Sequence, residues 1–167
     1  MVAQAEGIKV QDGGVERVDG RYLLHARLDF HLNPDVLEAL ESGVPLVFDL
    51  HLKILRKGVW FWASPVWERH LRFQIRYRAL SDIYQVVGLD TGRLGNYATR
   101  NAALAALGDI RGVELPTTLH LSPNATYEVA LHMELDRESL PLPLRLIAYL
   151  TPAWHVSNGW SQWPLPK

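Results

Sequence analysis

Five of the seven histidines, His25, His31, His51, His70 and His132, stand at polar positions of segments that alternate apolar and polar side chains. Asp29 lies two residues before His31, Asp49 two before His51, and Glu134 two after His132. Residues two apart on a strand share a face, so an imidazole and a carboxylate at that spacing can chelate one divalent ion. A metal-dependent enzyme built this way needs three of His25, His31, His51, Asp29, Asp49, His132 and Glu134 within about 2.0–2.2 Å of the ion. Arg27, Lys53, Arg72 and Arg76 interleave with them, and mixed charge is also what cross-strand pairing on a solvated face produces. The Asp-x-His order differs from the His-x-Asp or His-x-Glu of carboxylate facial triads. No resident metal or other cofactor is therefore assigned.

Six tryptophans form two clusters, Trp60, Trp62 and Trp67, then Trp154, Trp160 and Trp163. Indoles displayed on a sheet can stack on sugar rings or seat a partner's anchor, whereas the same rings packed inward supply core area. Trp60, Trp62 and Trp163 are the candidate binding residues of this kind. A second candidate surface is the row Arg72, Arg76 and Arg78 with Gln74, whose forked guanidinium groups suit carboxylate or phosphate. Gly-x-Ser-x-Gly, Ser-x-x-Lys, the Walker loop and Gly-x-Gly-x-x-Gly are all missing. The chain is read as non-enzymatic, with no catalytic residue assigned.

The elements that must position these side chains are strands. Residues 22–32, 46–54, 67–77 and 127–135 alternate with a period of two, the mark of antiparallel sheets with one buried and one wet face. Asn33 followed by Pro34 opens a short helix over 34–42, and Thr99 caps a second over 99–107. Shorter strands are expected over 6–11, 83–89, 112–115 and 144–150 and within 154–165. Residues 90–96 read as a loop and 140–143 as an extended crossover, because prolines lack the amide donor. Arg69 falls out of phase on the longest strand, which predicts a bulge at Glu68 or Arg69. The expectation is one antiparallel β-sandwich, mainly β and immunoglobulin-like in outline, with two short helices.

Size and charge narrow the function classes. A chain of 167 residues suits one domain with a real core, and 17 basic against 18 acidic residues give no long-range pull toward nucleic acid. The absence of cysteine removes disulfides, thiolate metal sites and cysteine nucleophiles together. No window approaches the ~20 apolar residues of a membrane span. Ala3-Gln4-Ala5 carries the small-x-small pattern of a signal-peptidase site. Residues 1–5 are read as the residue of an export signal with an added start Met, and 6–167 as the single domain, exported to the periplasm.

Several segments carry a resemblance. They are Leu71-Arg72-Phe73 to Tyr77-Arg78, Tyr84-Gln85-Val86, Tyr97-Ala98-Thr99 leading into Ala102-Ala103-Leu104, Leu140-Pro141-Leu142-Pro143-Leu144-Arg145, and Trp154 with Ser157 and Gly159-Trp160-Ser161-Gln162-Trp163-Pro164-Leu165. In this order they resemble a family of exported proteobacterial proteins, of the proline-rich signal-peptide type, known only as a domain of unknown function. The resemblance implies an export signal and a gene setting near two-component sensor kinases, hence an accessory role in envelope sensing. It carries over no catalytic residue. The expected partner is another envelope protein, bound through an edge strand or an exposed apolar patch, with glycan binding through tryptophan and metal-dependent catalysis as the alternatives.

Overall fold

The computed structural model describes residues 6–58 and 64–167. Two antiparallel sheets pack face to face. The smaller has the order β1-β2-β7, from β1 (Gly7–Val18), β2 (Arg21–His31) and β7 (Asp109–Leu115). The larger has the order β6-β5-β4-β3-β8-β9, from β3 (Leu46–Arg56), β4 (Trp67–Arg78), β5 (Ile83–Gly88), β6 (Leu94–Tyr97), β8 (Tyr127–Leu135) and β9 (Ser161–Pro164). Three helices join them: α1 (Pro34–Glu41), α2 (Arg100–Gly108) and α3 (Leu142–Leu150).

The alternation seen in the sequence is the alternation of the pleat. On β2 the buried residues are Leu24, Ala26, Leu28 and Phe30, and on β3 Leu46, Phe48, Leu50, Leu52 and Ile54 are fully buried. These two stripes meet across the sandwich, where Phe30 and Phe48 pack edge to face with centroids 5.1 Å apart. Leu131, Met133 and Leu135 of β8 extend the same core. Fully burying one such side chain is worth about 1.5–3 kcal/mol, so this core outweighs any polar contact on the outer faces.

Both expected helix starts are present. Asn33 accepts from the Val36 amide and donates to the Ala153 carbonyl, tying α1 to a 3₁₀ turn at Pro152–Trp154. Thr99 accepts from the Ala102 amide at the start of α2. At its far end α2 lies against β2, where a Cβ on Gly108 would sit 2.0 Å from the Leu28 carbonyl oxygen.

Four local expectations are corrected. Residues 144–150 form α3 rather than a strand. Its apolar run has no polar phase to betray its period, and Pro143 sits in the first turn, where a missing amide costs nothing. Residues 94–96 of the expected loop, together with Tyr97, pair with β5 as β6. β1 runs on through Gly13 and Gly14, because the Trp163 ring of β9 covers Gly13 so closely that a Cβ there would lie 2.4 Å from it. The bulge expected at Glu68 or Arg69 is not formed: β4 pairs with β3 without a shift, Arg69 opposite Leu52 and Glu68 opposite Lys53. Arg69 takes an inward position at the sheet margin instead.

Alanine is ordinarily the better helix former than glycine by about 1 kcal/mol. At position 108 the order reverses, because the added methyl meets strand backbone that cannot move aside. Gly108→Ala is expected to lower unfolding stability by about 2 kcal/mol or more in urea titration. An unchanged or raised midpoint would refute the close approach of α2 to β2.

Candidate functional site

The outer face of the larger sheet carries the polar positions of β4, β3 and β8. Because Asp49, His51 and Lys53 alternate with the fully buried residues of β3, they can only point outward. Register then decides their neighbours. His51 stands opposite His70 of β4 on one side and His132 of β8 on the other, which lines three imidazoles across three strands. The rings of His51 and His70 stack, with centroids 3.9 Å apart and planes 24° apart. Trp160, in the turn before β9, stacks on His132 at 5.0 Å and meets His51 edge-on at 5.2 Å. The Lys53 ammonium lies 4.8 Å from the centre of the same indole.

Carboxylates complete the cluster. Glu68 Oε2 is 3.1 Å from His51 Nε2, and Asp49 Oδ2 is 2.7 Å from His70 Nδ1. Arg72 is the residue directly opposite Asp49 on β4, yet its guanidinium turns to Asp90 at 3.5 Å. Asp49 Oδ1 is left buried with no hydrogen-bond partner. Burial lowers the pKa of His51 below the usual histidine range. The hydrogen bond that His51 donates to Glu68 opposes that shift, while His70 and Lys53 add to it.

The residues singled out from the sequence are divided by the fold. His25, Asp29 and His31 lie on the outer face of the smaller sheet, with His31 3.2 Å from Asp29, whereas Asp49, His51, His132 and Glu134 lie on the opposite side of the sandwich. The seven expected ligand residues thus never converge. Among the described residues, the group that does is His51, Glu68 and His70, whose donor atoms lie within 4.8 Å of one another. Glu68 went unnoticed because only the pairing of β3 with β4 reveals it. Trp60 and Trp62 fall outside the described residues. Trp163 is half-buried against Gly13, Trp154 is buried, and Trp160 is 46% exposed. Arg72, Arg76 and Arg78 are all exposed on the outer face of β4.

Two other surfaces stand out. Three strands cannot cover six, and a cleft of about 550 Å³ opens between β6 and β7, floored by Leu71, Phe73 and Val86 and rimmed by Arg69, Arg93 and Arg111. Arg111 is held by Asp109 at 2.7 Å. Asp109 and Glu114 line the same cleft, so its rim carries both signs of charge. The second surface is α3, where Leu142 is 69%, Leu146 68% and Leu150 85% exposed.

A family model described as "Domain of unknown function (DUF4390)" matches residues 5–164. No curated protein and no solved structure matches the chain.

Asp49 already has one unsatisfied oxygen, so removing its single imidazole partner strands the whole carboxylate. His70→Ala is expected to cost up to about 1 kcal/mol of unfolding stability in chelator-treated protein, and Asp49→Ala in the same chain to recover part of it. A loss in the double variant equal to the sum of the two single losses would show that the pair carries no coupling.

Proposed function

The chain belongs to that family, whose description assigns no activity, and we propose from its surface that it is an exported, non-enzymatic accessory domain that seats an apolar helix of a partner protein against α3. The observation that carries this reading is the make-up of α3. Of its nine residues, Leu-Pro-Leu-Arg-Leu-Ile-Ala-Tyr-Leu, only Arg145 is charged. A helix that is apolar all round is normally covered all round. Here Ala148 is buried and Leu144 packs against the core, while Leu142, Leu146 and Leu150 form an outward stripe at i, i+4 and i+8, flanked by Ile147 and Tyr149, respectively 52% and 46% exposed. Five large side chains on one short helix make a patch of roughly the several hundred Å² that marks an interaction surface.

Charge points to the kind of partner. Helices that lie on anionic membranes carry Lys and Arg along the polar side. The single arginine of α3 donates instead to the Leu140 carbonyl, at 3.0 and 3.2 Å, and Arg137 is laid over the Tyr149 ring. The stripe therefore offers no free cation to a phosphate surface. It offers leucines at the spacing that interdigitates with another apolar helix. No helix among the described residues is long and apolar enough to cross a membrane. Sugar stacking is the weaker reading, since among the described residues Trp160 stands against His132 and Lys53 and no second indole lies beside it.

A photo-reactive phenylalanine analogue at position 146 is expected to form one adduct of defined mass in intact cells, while the same probe at the exposed position 9 does not. Leu150→Glu should abolish the adduct and shift unfolding stability by no more than ~0.5 kcal/mol, as befits an exposed site. Adducts with lipid alone, with a second copy of the chain alone, or equally from both probe positions would overturn the reading.

A further inference from the structure

We propose that His51, Glu68 and His70 form a binding site for a divalent transition-metal ion of the zinc class, on the outer face of the larger sheet and independent of α3. Two imidazoles and one carboxylate are an established donor set for zinc, which takes nitrogen at about 2.0–2.1 Å and carboxylate oxygen at about 2.0–2.2 Å. Two ligands at those lengths in a tetrahedral shell stand about 3.3 Å apart. His51 Nε2 and Glu68 Oε2 are already 3.1 Å apart, so an ion can replace their hydrogen bond without moving either strand. The third donor, from His70, lies within 4.8 Å of both, on a half-exposed side chain free to turn. Both anchoring strands are held in continuous register through this stretch.

The surroundings favour a cation there for three separate reasons. Asp49 holds His70 Nδ1 at 2.7 Å, which leaves Nε2 as the donor and fixes the orientation of the ring, the carboxylate–histidine arrangement that backs most metal-bound imidazoles. The second oxygen of Asp49 is buried with no hydrogen-bond partner among the described residues, which leaves this carboxylate able to attract a nearby cation. Lys53, the cation that would compete for Glu68 from the opposite strand, is drawn aside over Trp160. Three protein donors on an open face leave a coordination position for water or a second oxygen ligand.

Zinc titrated calorimetrically into the untagged chain, in a buffer that does not chelate, is expected to bind at one equivalent. Cobalt should give the intense visible bands of a four- or five-coordinate ion. Glu68→Gln and His70→Ala are each expected to weaken zinc by about tenfold or more, and Asp49→Asn by about 10–100-fold through His70. His31→Asn, on the opposite face, should change nothing. Circular dichroism checks that each variant folds, and the exposed position of Glu68 keeps that variant informative even where others are weakened. Absence of zinc binding, affinity unchanged in both Glu68→Gln and His70→Ala, or equal loss in His31→Asn would each overturn the site.

Discussion

Everything on the outer face of the larger sheet depends on the buried stripe of β3. Leu46, Phe48, Leu50, Leu52 and Ile54 are each fully buried, and their removal from water is worth roughly 10 kcal/mol in total. A slip of one residue would put all five in water and His51 in the core. The ion pairs and stacked rings outside are worth at most about 1 kcal/mol each, too little to choose a register. Asp49, His51 and Lys53 are thus aimed by leucines, and the polar cluster is a consequence of packing rather than its cause.

The second constraint is the mismatch in width between the sheets. Where β1, β2 and β7 cover β3, β8 and β9, the sandwich closes, and Trp163 sits on Gly13 while the Ile8 amide donates to the Ser157 carbonyl at 3.3 Å. On the other side β5 and β6 extend past the smaller sheet, and among the described residues α2 covers part of their inner face. The cleft lies there, and it explains why an arginine stands at inward position 69: the margin of β4 faces water. β7 carries an extra residue near Gly112, so that Ile110 and Val113 oppose Ala26 and Leu24, and this bulge with the four-residue length of β6 keeps both free edges from acting as open templates.

Much of this was readable before any coordinates. The period of two in β2, β3, β4 and β8, the caps at Asn33 and Thr99 and the mainly β sandwich all follow from local rules, because the pleat and the first helical turn act over two to four residues. Arg69 breaks the alternation of its strand, but an inward charge has two remedies, a bulge or an opening to solvent, and the choice rests on what lies across the sandwich. The segment forming α3 gave no usable signal, since apolar residues on every side have no phase. β6 escaped notice because its glycine and the neighbouring turn residues mask a four-residue pairing.

The candidate metal donors show the division most clearly. That His51 and Asp49 share an outward face is a local property of one strand, legible from alternation alone. That Glu68 and His70 join them, while His25, Asp29 and His31 are carried to the far side, depends on which strands become neighbours and in what register. Amino-acid order encodes the direction of each side chain relative to its own backbone. Its company is chosen by long-range burial, which joins β3 to β4 and β8 because only that pairing gathers the apolar stripes into one interior.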